Sequence, residues 1–97
     1  MSEVVDNPAE SRFELVIDGV LAELVYRRNG KRLVLVHTEV PDALGGRGLG
    51  GVLVKTAVEK ARADGLTIVP ICPYAKHWLE THPDELDGVV IDWPSAP

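Results

Sequence analysis

His37-Thr38-Glu39-Val40-Pro41-Asp42-Ala43-Leu44-Gly45-Gly46-Arg47-Gly48-Leu49-Gly50-Gly51-Val52-Leu53-Val54 is the stretch on which the fold turns. Its left end closes the apolar run Leu33-Val34-Leu35-Val36, whose consecutive apolar residues predict a central strand buried on both faces. Its right end opens a helical pattern, in which Leu49, Val52, Leu53, Ala57, Val58 and Ala61 recur at the α-helical period as far as Asp64. Gly65 is placed to close that helix at C′. Leu66 to Ile71 then supplies a short buried strand, and the helix between the two strands makes them parallel, with a right-handed crossover.

Upstream of this β-α-β unit the pattern is that of hairpins. Arg12 to Asp18 puts Phe13, Leu15 and Ile17 on one face, and Gly19 follows as a turn residue. Val20 to Arg28 repeats the alternation with Ala22, Leu24 and Tyr26. Asn29-Gly30 is then expected to fill the two positive-φ positions of a type I′ turn leading into a Lys31 to Val40 strand. Downstream, Cys72 stands before Pro73, and proline suits the first position of a helix, here predicted to run to about Thr81 before His82-Pro83 stops it. Gly88 to Ile91 is read as a last strand. The order is β-β-β-α-β-α-β, an α+β fold with a mixed sheet. Residues 1–10 and 94–97 read as tails around a single domain spanning 11–93.

With 97 residues the chain is sized for one domain, and 45% hydrophobic with 26% charged residues is ordinary globular composition. One cysteine, Cys72, excludes an intrachain disulfide and makes the cytoplasm the default location. No apolar run is long enough to span a bilayer, so no membrane association is expected. A net charge of -5 is the wrong sign for gripping a polyanionic duplex, so no nucleic-acid partner is expected and a cationic one is favoured.

Five glycines in seven positions, Gly45 to Gly51, sit at a strand-to-helix junction where bare backbone N–H groups and the positive helix end can receive a phosphate. A Walker A loop is excluded because Val52, not Lys-Ser/Thr, follows Gly51. A dinucleotide loop matches in its glycines but lacks the acidic ribose ligand after the next strand, where Cys72 stands. A pyrophosphate turn for coenzyme A needs no such acid, and a merely flexible loop is the competing reading. Gly50 and Gly51 in a first helical turn each cost about 1 kcal/mol relative to Ala, a cost that a ligand approaching the backbone would explain.

Taken in order, His37-Thr38-Glu39-Val40-Pro41, the Gly46 to Gly51 turn, the helix opening Val52-Leu53-Val54, Val69-Pro70-Ile71-Cys72-Pro73-Tyr74 and Thr81-His82-Pro83 resemble the small, single-domain YjdJ-like members of the GNAT acetyltransferase superfamily. The superfamily's acetyl-CoA loop is usually Arg/Gln-x-x-Gly-x-Gly/Ala. Here Gly45 stands in the basic position, and Arg47 is the nearest cation. The resemblance implies a GNAT-like sheet with a splay between its parallel strands. The pantetheine arm of acetyl-CoA would lie there beside Thr38, Glu39 and Val40, its pyrophosphate on Gly46, Arg47, Gly48, Leu49, Gly50 and Gly51, with Pro73 and Tyr74 completing the cofactor site. It implies transfer of an acetyl group to an amine, of a small molecule or a protein lysine. An exposed edge strand in so small a sheet could pair with a second copy, so a monomer or weak homodimer is expected. The alternative is a CoA-binding or protein-interaction module with little or no catalysis.

Two side chains are candidates for the chemistry. Cys72, at the end of a buried strand and the start of a helix, is placed where free N–H groups favour a thiolate, and small family members carry a catalytic cysteine there. A buried cysteine that merely packs is the plainer reading. His37 has an intrinsic pKa suited to a general base, although a hydrogen-bonded core histidine fits the same position. No metal site is expected, because His77 and His82 fall on different sides of a helix. Trp78 and Leu79 are assigned to packing, and the acidic run Glu80, Asp84, Glu85, Asp87, Asp92 to a solvated face able to guide a cationic amine.

Overall fold

The computed structural model describes residues 4–94. The elements are β1 Val5–Asn7, β2 Arg12–Ile17, β3 Val20–Asn29, β4 Arg32–Glu39, α1 Leu49–Asp64, β5 Thr67–Pro70, α2 Pro73–Thr81 and β6 Val90–Ile91. All the strands join one mixed sheet in chain order, antiparallel from β1 to β4 and parallel from β4 through β5 to β6. The mixed α+β architecture and the parallel β-α-β unit match the sequence pattern.

Residues 1–10, expected as a tail, contribute β1, which pairs Val5 with Glu14 and Asn7 with Arg12. Three residues are too short a run for periodicity to reveal, and the contacts that hold β1 are remote in sequence. Tyr26 Oη donates to Asp6 Oδ1 at 2.6 Å, and Lys60 Nζ of α1 lies 3.3 Å from Asp6 Oδ2. Burial and the neighbouring carboxylate push the Tyr26 hydroxyl up to about 12. Pro94 lies outside any element, and the calls on residues 1–3 and 95–97 fall outside the described residues.

The type I′ turn falls at Asp18-Gly19, not at Asn29-Gly30. Asp18 and Gly19 both have positive φ, 53° and 77°, between the paired residues Ile17 and Val20. Asn29 is instead held in the ladder opposite Arg32, leaving Gly30-Lys31 as the two-residue loop, and there only Gly30 has positive φ, 60°. A positive φ at the first central position is the signature of the mirror-image type II′ turn, which also preserves the strand twist.

Phe13, Leu15, Ala22, Leu24, Leu33, Leu35 and Ile68 project from one face of the sheet and are at most 1% exposed. Leu53, Val54, Ala57, Val58 and Ala61 of α1 and Ala75 and Leu79 of α2 close over that face. Each such leucine contributes on the order of 2 kcal/mol by leaving water. Val52, expected in the buried stripe, is 43% exposed; Val54, one position over from Leu53 and a helical neighbour of Ala57 and Val58, takes its place. The other face of the sheet carries no helix among the described residues. Val34 and Val36 are therefore only half-buried, so β4 is buried on one face rather than the expected two.

Candidate functional site

The register of β4 is broken once. Val25 stands opposite His37 and Tyr26 opposite Leu35, leaving Val36 as a one-residue bulge. A bulge reverses the side-chain alternation beyond it. Without it, Leu33, Leu35 and His37 would share the core face. With it, Thr38 stands opposite the buried Leu24 on the helix side, and His37 turns to the open face.

On the other flank of β4, pairing with β5 ends at Leu35 and Pro70. The carbonyl of Leu35 accepts from both Ile71 N, at 3.0 Å, and Cys72 N, at 2.9 Å, and the chain then leaves the sheet to enter α2 at Pro73. Proline supplies no N–H and cannot extend a ladder, so Pro70 and Pro73 bracket the divergence. β4 runs on through Val36–Glu39 with no β5 residue opposite it. This is the expected splay.

A pocket of about 370 Å³ opens where the strands part, lined by Thr38, Glu39 and Val40 of β4 and its extension, by Leu44, Gly45, Gly46, Gly48, Leu49 and Gly50 of the glycine loop and first helical turn, and by Tyr74 of α2. Its floor is set by Leu44, 2% exposed, which anchors the loop in the core from a short 3₁₀ turn at Asp42–Leu44. Gly46 and Gly48 have φ of 78° and 68°, and neither has any atom within 4 Å of where a Cβ would stand. Gly48 is the N-cap of α1 and brings no capping side chain. The first N–H groups of a helix have no acceptor within it, so this end of α1 offers unpaired donors to an anion.

Thr38, Glu39, Val40, Gly46, Gly48, Leu49, Gly50 and Tyr74 thus come together as the sequence suggested, whereas Arg47, Gly51 and Pro73 lie outside the lining. Gly50 and Gly51 also have a packing cause. A Cβ on Gly50 would stand 2.7 Å from the Tyr74 ring, and one on Gly51 would stand 2.6 Å from Trp78 Nε1. The missing side chains let α2 lay its aromatic residues along the first turn of α1. Trp78 is held there by its stack on His82, with ring centroids 4.1 Å apart and 10° between planes, while His82 Nδ1 lies 2.7 Å from Trp78 O. Leu44 and Gly45 escaped the sequence reading as lining residues. The available signal was a lone leucine inside an otherwise polar and glycine-rich loop.

The two candidate chemical groups part company. Cys72 is the N-cap residue of α2 and 3% exposed, with Sγ 3.3 Å from the Thr38 hydroxyl, on the pocket side of β4. His37 is on the opposite, open face, its Nε2 3.2 Å from Glu39 Oε1, both side chains more than half exposed. The arrangement offers an anion-receptive loop and a slot between strands, with the buried Cys72 thiol outside the lining but beside the hydroxyl of Thr38, which is part of it. Among the described residues no helix is long and apolar enough to cross a membrane.

The family described as GCN5-related N-acetyl-transferase matches residues 12–89. Protein NATD1 of Gallus gallus and of Mus musculus are each 40% identical to the chain over 63 residues, covering 64% of this chain and 57% of theirs. The matched segment therefore spans little more than half of those proteins. A GCN5-like protein of Staphylococcus aureus, solved by NMR in solution, superposes with a TM-score of 0.73 at 35% identity, covering 96% of this chain and 90% of that one.

Proposed function

The chain belongs to the GCN5-related N-acetyltransferase family, and on that premise we propose that it binds acetyl-CoA and transfers the acetyl group to an amine. The observation that carries this reading is the coincidence of the splay with the glycine-lined pocket at the uncapped start of α1. Bound acetyl-CoA supplies an acetyl group activated as a thioester. The residues present fit it: open space over Gly46 and Gly48 admits a bulky anion against the backbone, and the α1 N–H groups meet its charge. The free edge of β4 at Thr38–Val40 suits an amide-rich arm, which bonds to a strand edge much as another strand would. Tyr74 walls the groove. Arg47, exposed within the loop, is the cation that would be available to the phosphates where Gly45 leaves no basic side chain.

Two routes for the acetyl group use groups on opposite faces of β4. In the first, Cys72 takes the acetyl group before the amine does. The Thr38 hydroxyl lies within hydrogen-bond distance of its sulfur, at the entry to α2. In the second, His37 accepts the proton of an amine that attacks directly, with Glu39 holding the imidazole in one orientation. Cys72 shares a side of the strand with the pocket lining, which favours the first route. The acceptor is a small amine or a protein lysine, and the protein works in the cytoplasm.

Calorimetric titration with acetyl-CoA tests the reading, with one-to-one saturation in the micromolar range expected, or about -8 kcal/mol. Absence of binding at ~1 mM removes it. Binding without release of free CoA in the presence of any amine tried leaves a CoA-binding module instead of an enzyme. Among turnover-competent preparations, Cys72→Ser abolishing turnover while His37→Ala retains it selects the first route, and the reverse selects the second.

A further inference from the structure

The two tyrosines differ in what their hydroxyls do. Tyr26 is buried and donates to Asp6 at 2.6 Å, a bond that fixes β1. Tyr74 is 45% exposed and lines the pocket, and among the described residues its hydroxyl, unlike that of Tyr26, has no hydrogen-bond partner. Its place is closely set all the same. Tyr74 is the second residue of α2 and Gly50 the second of α1. The three atoms nearest to a Cβ built on Gly50, each at 2.7 Å, are the phenol's Cε1, Cζ and Oη. A side chain on Gly50 would displace that end of the ring, so the glycine brings the hydroxyl itself against the first turn of α1. There the N–H groups of Leu49, Gly50 and Gly51 precede the first bond of the helix, made by Val52 N to Gly48 O at 3.3 Å, and have no acceptor within it. The hydroxyl joins these backbone donors at the loop end of the pocket, where Gly45 supplies no basic side chain.

We propose that the Tyr74 hydroxyl donates a hydrogen bond to the pyrophosphate of bound acetyl-CoA beside the N–H groups of α1, an inference that rests on the acetyl-CoA reading above. A phenol O–H is a donor, and donors to charged oxygens make bonds about twice as strong as donors to neutral ones. The phosphates are its partner rather than the amide-rich arm, because the hydroxyl is held against Gly50 whereas the arm's place is the β4 edge at Thr38–Val40. With a net charge of -5 the chain has no long-range attraction for a polyanion, so contacts at hydrogen-bond distance have to hold it.

Calorimetry of the parent chain and of Tyr74→Phe tests this, each titrated with acetyl-CoA and with ADP, which carries a diphosphate without the arm. Tyr74→Phe keeps the ring on Gly50 and removes one oxygen that no described residue binds, so urea unfolding is expected to be unchanged. Affinity for both ligands falls about tenfold, as for the loss of one hydrogen bond to a charged oxygen. Gly50→Ala displaces the hydroxyl without removing it. It is expected to lower acetyl-CoA affinity about tenfold in the parent, but less than about twofold in the Tyr74→Ala chain, where the obstructing ring is gone. A parent that binds acetyl-CoA with Tyr74→Phe binding it equally well overturns the proposal and leaves the acetyl-CoA reading standing. So does a loss confined to acetyl-CoA, which puts the hydroxyl on the arm, or a loss matched by a fall in stability, which makes the hydroxyl structural. A parent that does not bind acetyl-CoA overturns both.

Discussion

At its start β4 has a partner on each side: Arg32 stands opposite Asn29 of β3 and Thr67 of β5. At its end it has one, because β5 stops at Pro70 while β4 continues to Glu39. The first end satisfies its backbone within the sheet and closes its leucines in the core. The second leaves a strand edge free beside an uncapped helix and a loop whose glycines adopt positive φ. Stability is concentrated where pairing is complete, and the capacity to hold a ligand where it runs out, since only unpaired backbone has donors and acceptors to give.

The largest effect that separates the two ends is expected from Leu33→Ala. Leu33 is fully buried opposite Ile68, so the cavity costs about 3 kcal/mol in urea unfolding, while the folded fraction keeps its affinity for acetyl-CoA. Affinity falling in step with stability would mean that the ends are not independent. Gly48→Ala works at the other end. An L-residue held at φ 68° costs about 1–2 kcal/mol, and nothing within 4 Å obstructs the methyl group itself. Calorimetry should show acetyl-CoA affinity reduced at least about tenfold, because the loop relaxes away from the conformation that aims its N–H groups. An unchanged affinity removes the loop from the binding site.

The smallest effect belongs to the edge strand. Tyr26→Phe is expected to lose about 1 kcal/mol with the hydrogen bond to Asp6. Because the hydroxyl is raised from 10.0 to about 12 in the folded chain, its contribution is complete below pH 10 and is lost as the pH climbs through about 12. Chemical denaturation at pH 9 and 11.5 should therefore show a decline in the parent that is smaller in the variant. An equal decline would place the alkaline sensitivity elsewhere, and acetyl-CoA binding at neutral pH is unaffected in either case.

How much of this was legible follows the range of the interactions. The strand alternation of Phe13, Leu15, Ala22 and Leu24, the helix ended by Gly65 and the start of α2 at Pro73 are local facts, dictated by period, by positive φ and by the missing proline N–H. Most of the pocket lining could be named in advance because a glycine loop between a strand and a helix has few places to go. The turn after β3 lies one residue later than Asn29-Gly30 suggests, because strand register, not turn composition alone, selects which pair closes a hairpin. β1 was invisible because its bonds come from Tyr26 and Lys60, remote in the chain.

The sequence by itself determined the α+β order, the parallel unit and the glycine-rich junction, since each rests on residues within a turn or a strand of one another. Only the tertiary structure decided which face each polar group would occupy. A single extra residue at Val36 sends Thr38 to Cys72 and His37 to the open face, and a bulge is set by the strands on either side rather than by the residue that forms it. The tertiary structure likewise gave Gly50 and Gly51 a packing cause. They sit beneath Tyr74 and Trp78, contacts between two helices that no window along the chain contains.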